Sequence, residues 1–264
     1  MLMLTHTYLL QNILGMSGIK NHDLDVFVYN IVPDLLTIHQ NINSEQTHSI
    51  KRLWQIPPLY PKVAYIMFHL LVDDLTHYGL ICSGIPDDFN PNSQGYSYIK
   101  GKPLINLILD FQKRFNKEVS YNDAAYRSHV IVEMIYDLVI INHINNNQTI
   151  GLLEDAICFT AENKMDEFVA TVNWLYGLDK GEACEVLKKA CSYITKEKIQ
   201  KIMNIEGRIR LYTDKFGLPS DDPVCYADIK NIFLQSKKLL DDDELFLRET
   251  TEAVRKHGWL PPVT

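Results

Sequence analysis

The stretch His69-Leu-Leu-Val-Asp73-Asp-Leu-Thr-His77 decides how the chain is read. Three potential metal ligands recur every four residues, which places them on one face of one helix. Between them, Leu70, Leu71, Val72 and Leu75 supply what a helix needs to pack into a core. Pro61 opens this pattern, and Gly79 and Gly84 lie near its end. A polar stripe with apolar flanks points inward or lines a cleft, and a buried charge requires a partner or a metal.

The same three- and four-residue periodicity runs outward from this stretch. It predicts helices over 64–81, 104–115, 122–144, 150–160, 165–178, 181–193, 196–216, 226–240 and 243–257. Period-two alternation is nearly absent, so the expected fold is an all-α multi-helix bundle. Ser120 followed by Asp123 marks one helix start, and Gly217-Leu-Pro219 marks one helix end. The segment from Cys82 to Pro103 is rich in Gly, Pro, Asn, Ser and Tyr and reads as a long loop of the kind that carries function.

Composition sets further bounds. The 264 residues carry 26 Lys and Arg against 33 Asp and Glu, a net charge of −7, which argues against a general nucleic-acid or anionic-membrane surface. No stretch is long and apolar enough for a membrane span, and the N-terminus is a poor signal peptide. Five cysteines without a CxxC pair fit a reducing compartment, and a cytoplasmic location is expected. Eight of nine histidines fall at or before position 143. Residues 1–147 therefore read as a metal-binding helical core, and 148–264 as helices that complete the bundle within one domain.

A second helix repeats the theme with His129-Val-Ile-Val-Glu133 and Asp137 one further turn on. Imidazole and carboxylate are the expected ligands of zinc, and i,i+4 spacing lets two converge on one ion. His22-Asp23 lacks the other ligands that an HD-type phosphohydrolase would need. His39 lies on an apparently exposed segment and competes with His48. Asp74 points away from Asp73 around the helix and suits a supporting or capping role. Asp137 suits the orientation of a histidine. His143 and His257 lie in a polar tail and near a helix C-terminus. Phosphate-loop, nucleophile-elbow and dinucleotide fingerprints are absent.

Taken in order, five elements of the first 137 residues resemble the zinc-dependent phospholipase C and P1-type nuclease superfamily. These are Thr5-His6 before an apolar helix, Val32-Pro33-Asp34 as an acid at a helix start, Thr47-His48, His69-xxx-Asp73 with His77, and His129-xxx-Glu133. The Asp73-to-His77 gap is shorter than in secreted members, and residues 150–264 contribute nothing to the resemblance. The resemblance implies an all-α fold with two or three zinc ions. Asp34, His48, His69 and Asp73 would hold the first, His6 and the shared Asp73 the second, and His77, His129 and Glu133 the third. In secreted relatives the N-terminal amine is also a ligand, so the Met1 amine is a further candidate here.

Such ions favour phosphoester hydrolysis, because they polarise a phosphoryl oxygen and acidify water. The expected function is a metal-dependent, zinc-favouring hydrolase of a phosphodiester, with a phospholipid head group, nucleotide or nucleic acid as substrate. Asp34 is the catalytic candidate, as a ligand that also orients or deprotonates the attacking water. Tyr96 and Tyr98 are positioned to stack on a base, line a lipid cleft or simply pack. The alternative is a non-catalytic helical module with a structural metal site, which would be closed and four-coordinate.

Overall fold

The computed structural model describes residues 2–15, 23–85, 92–115, 117–140, 146–219 and 221–259. Among them the fold is entirely helical, with fourteen α-helices, two short 3₁₀ turns and no strand. No helix among the described residues is long and apolar enough to cross a membrane.

The expected central helix is α4 (Val63–Tyr78), and every residue from Val63 to Asp74 is buried. A helix apolar or buried all round needs neighbours on every side. It finds them in α2 (Asp25–Leu35), also buried along most of its length, and in α1 (Met3–Leu14), α5 (Tyr96–Gly101) and α14 (Asp243–Lys256). Gly79 ends α4 with φ +74°, and a Cβ there would meet the Gln94 carbonyl at 2.8 Å, so only glycine suits the turn.

The second long buried element is α7 (Tyr121–Ile140), started by reciprocal Ser120–Asp123 hydrogen bonds. It packs against α1, α5, α6 (Ile105–Arg114), α12 (Ile205–Phe216) and α13 (Pro223–Lys238). The remaining helices are α3 (Ser44–His48), α8 (Asn146–Asn163), α9 (Met165–Tyr176), α10 (Lys180–Tyr193) and α11 (Lys196–Ile202). One hydrophobic cluster takes side chains from both halves of the sequence, from Leu4 to Val254. None of the five cysteines is in a disulfide, and Cys225 alone is fully buried.

Three expectations need correction. The helix expected over 196–216 is two, because Asn204 accepts the Gly207 N–H at 2.8 Å and starts α12 afresh. Gly207 also packs on Ile202, where a Cβ would approach Cα to 2.5 Å. The segment 82–103 is not one long loop: its end forms α5 and a 3₁₀ turn at Lys102–Leu104, while 86–91 lies outside the described residues. Asp34 does not stand at a helix start. It is the penultimate residue of α2, with Pro33 inside the helix just before it.

Candidate metal centre

Four side chains from three elements converge first. His48, the last residue of α3, turns its Nδ1 outward to donate to the Ser44 carbonyl at 2.9 Å, with the Thr47 hydroxyl also 2.9 Å away. With Nδ1 turned to that carbonyl, Nε2 faces inward. Around it lie Asp34 Oδ1 at 3.5 Å, Asp73 Oδ2 at 3.4 Å and His69 Nε2 at 3.4 Å. His69 Nε2 is in turn 3.2 Å from Asp73 Oδ2.

Asp73 uses its two oxygens separately. While Oδ2 meets His48 and His69, Oδ1 lies 3.2 Å from Nε2 of His6 on α1. His6 is completely buried and stacked on His69 with ring centroids 3.6 Å apart, yet neither of its nitrogens makes a hydrogen bond. The 3.2 Å approach to Asp73 is close but not aligned as one. Nδ1 of His69 and Oδ2 of Asp34 are likewise buried without a hydrogen-bond partner.

The third group lies one turn further along α4. His77 Nε2 is 2.8 Å from Glu133 Oε1, and the His77 and His129 rings meet edge to face at 5.4 Å. Close packing of Gly95 on the His77 backbone, with Ser93 donating to the His77 carbonyl and Ser97 donating to Thr76 O at 3.1 Å, fixes this end of α4. All eight candidate residues thus fall into three clusters of potential ligand atoms: His6–His69–Asp73, Asp34–His48–His69 and His77–His129–Glu133.

The electrostatics follow from burial among carboxylates and imidazoles. Burial pushes His69 down to about 4, helped by the neighbouring His6 and opposed by Asp73. Burial likewise takes His129 down to about 3, with Glu133 opposing. For Asp73 and Glu133 burial favours the neutral acid, but the positive charge of the chain's terminal amine and, after it, the imidazoles beside them hold both well below the usual carboxylate range. Asp34 is lowered too, against burial, chiefly by His48. His48 is raised because Asp34 and Asp73 outweigh its burial. His69 and His129 are thus held neutral beside the ionised carboxylates of Asp34, Asp73 and Glu133, a set of charges that attracts cations.

Neighbouring acids have structural partners. Asp74 takes a bidentate pair from Arg52, at 2.6 and 3.1 Å, together with the Cys82 N–H. Asp137 does not orient a histidine as expected. It accepts from the Thr5 N–H and hydroxyl at 3.2 and 2.6 Å and pairs with Arg208 at 3.1 Å, fixing the turn of α1 that carries His6. Neither arginine is signalled by local spacing, since each partner lies far along the chain. Ser44, one turn before His48, is the orienting residue that spacing does expose.

His39 is buried rather than exposed, but its ring takes the Asn41 N–H and stays out of all three clusters. Tyr96 packs on Phe246 at 4.1 Å and donates to Asp242, so it is part of the core, whereas Tyr98 stacks on His129 at 4.6 Å. His257 rests against Trp54. Met1, His22 and His143 lie outside the described residues. A cavity of about 1110 Å³ opens on Asp34, His48, Asp73, His77, His129 and Glu133. No protein-family model matches the chain, and neither a curated protein nor a solved structure matches it.

Proposed function

We propose that the chain is a zinc-dependent hydrolase of phosphodiesters, a relative of the zinc phospholipase C and P1-type nuclease superfamily. The observation that carries the reading is the spacing of the inward-facing atoms of Asp34, His48, His69 and Asp73. Four of the six separations, those that involve His48 and that between His69 and Asp73, run from 3.2 to 3.5 Å. Tetrahedral zinc with bonds of about 2.0–2.1 Å sets its ligands about 3.3 Å apart, which these four separations match. The buried nitrogens of His6 support the same reading, since orphaned buried polar atoms are rare unless something binds them.

On this reading Asp34, His48, His69 and Asp73 hold one ion. His6 and Asp73 hold a second, and His77, His129 and Glu133 a third. When bound, such ions polarise a phosphoryl oxygen and make water acidic enough to supply hydroxide near neutral pH. Asp34 Oδ1 faces His48, while Oδ2 has no hydrogen-bond partner and the residue lines the cavity. Held ionised and lining the cavity, Asp34 is the carboxylate that orients the attacking water and takes its proton. Ser44 and Thr47 turn the Nε2 of His48 inward, and the two oxygens of Asp73 face His6 and His69 separately.

The cavity speaks against a closed structural site, which would leave no room for substrate. The test is hydrolysis of bis(p-nitrophenyl) phosphate by zinc-loaded protein. The expected rate rises as pH approaches about 7 and is abolished in Asp34→Asn with the fold intact by circular dichroism. Zinc-loaded, folded protein that is inert on nucleotide, nucleic-acid and phospholipid diesters alike would return the structural-metal module.

A further inference from the structure

The cavity takes part of its wall from the half of the chain that carries none of the ligands. Arg208, Leu211 and Lys215 follow one another at three- and four-residue steps on α12, so they share one face, and all three line the cavity. Two contacts fix how that face meets α7. Near the start of α12, Arg208 pairs at 3.1 Å with Asp137, near the end of α7. At the other end of α12, the Phe216 ring lies 6.3 Å from the Tyr126 ring and 4.6 Å from the Arg127 guanidinium, near the start of α7. The two helices therefore run antiparallel. Lys215, next to Phe216, stands across from the turn 126–130 of α7, which carries His129 of the third cluster.

Carboxylates dominate this lining, with Asp34, Glu45, Asp73, Glu133 and Asp137. Among the described residues the lining holds two Lys or Arg side chains, and Arg208 is already committed to Asp137. Lys215 is exposed and makes no ion pair or hydrogen bond among the described residues. A phosphodiester is an anion, which those carboxylates repel. An unpaired ammonium on the facing wall offsets the repulsion and presents three donors to phosphoryl oxygens. A cation in the last turn of α12 also suits the helix dipole, but that role alone would change stability without touching anion affinity.

We infer that Lys215 binds the phosphoryl oxygens of the substrate from the α12 wall, across the cavity from the ligands on α7. That the bound anion is a phosphodiester rests on the hydrolase reading above; the placement of Lys215 rests on the packing of α12 against α7.

The experiment measures binding of inorganic phosphate and of dimethyl phosphate to the full chain by calorimetry, with zinc uptake of each sample measured separately. Dimethyl phosphate is a diester too inert to be consumed during the titration. In Lys215→Gln both anions should bind about tenfold more weakly, the size of one lost hydrogen bond to a charged group. Lys215→Arg keeps the cation and should restore most of the affinity. Lys237→Gln, an exposed lysine in the last turn of α13 and outside the cavity, should bind both anions as wild type does.

Undiminished binding of both anions to folded, zinc-loaded Lys215→Gln overturns the role of Lys215 and leaves the metal reading standing. Equal weakening in Lys237→Gln traces the effect to overall charge and also overturns it. Weakening for inorganic phosphate alone overturns the contact with a diester. Protein that takes up no zinc yet binds both anions through Lys215 supports the contact and removes the metal reading. Protein that takes up no zinc and binds neither anion overturns both.

Discussion

The polar residues of the first half and of the second half are handled in opposite ways. In α1, α4 and α7, His6, His69, Asp73, His129 and Glu133 are buried, and neither ring nitrogen of His6 has a hydrogen-bond partner. In α10 and α11 the charges form ordinary exposed pairs one turn apart, Glu185 with Lys189 and Glu197 with Lys201. These charges behave like a solvated surface, whereas Arg208 of the same half is buried against Asp137. The difference shows where a bound cation would matter most: among the described residues the clusters of potential ligand atoms all lie in the first half.

The largest test of that contrast is Asp73→Asn. Both carboxylate oxygens face imidazoles, so the near-isosteric amide removes the anchor of two clusters at once. Zinc affinity should fall by more than the roughly 10- to 100-fold that loss of an outer partner costs, and diester hydrolysis should disappear. Asp74→Asn, its neighbour, should retain the zinc count and lose only stability through Arg52. Metal analysis of the two variants side by side decides, and equal zinc loss in both would refute the register.

Arg208→Met probes a place where the second half supports a buried acid of the first half. It strands the buried Asp137 carboxylate and should cost about 3–5 kcal/mol in denaturant unfolding. Adding Asp137→Leu should recover much of that loss while loosening Thr5 and the turn holding His6. Full additivity of the two substitutions would contradict the pairing.

Acid sharpens the comparison next. In metal-free protein His69 stays neutral down to about pH 4 and His129 to about 3, while unfolded histidines protonate near 6.5. The unfolded chain therefore binds more protons as pH falls, and the stability present above 6.5 drains away toward pH 4. Asp34 and Asp73, both lowered, push the same way at the acid end, and His48, which is raised, offsets part of the loss. The melting temperature of chelator-treated protein should be lower at pH 5 than at pH 7. A flat profile would contradict neutral buried imidazoles.

The smallest effect is expected from Glu197→Gln. The pair with Lys201 is exposed, so thermal unfolding and zinc content should match wild type within error. A measurable zinc loss there would break the division between the halves.

Helical periodicity made the bundle readable, and helices α4 and α6 to α10 were expected within a few residues of where they lie. What periodicity missed has local causes. The α1 and α2 helices are buried on nearly all sides and so show little contrast between faces. The short helices α3 and α5 depend on an Asn43–Gln46 capping box and on tertiary packing. The break before α12 depends on one asparagine cap and one glycine contact. In the site, His69, Asp73 and His77, and likewise His129 and Glu133, were legible because i,i+4 spacing forces one helix face. His6, Asp34 and His48 come from three separate elements, and only a family resemblance put them in the same set. The Arg52–Asp74 and Arg208–Asp137 pairs join residues 22 and 71 positions apart, beyond any local pattern.

The central claim is that the buried polar clusters of the first half exist to hold metal, and zinc stoichiometry tests it most directly. Chelator-stripped protein, dialysed against limiting zinc and assayed by elemental analysis, should retain three equivalents per chain, one for each cluster of potential ligands. Its melting temperature should rise together with occupancy, because ions that bind only the folded chain stabilise it. Protein that stays folded and takes up no zinc would contradict the account, and a single equivalent would reduce the site to one closed structural ion.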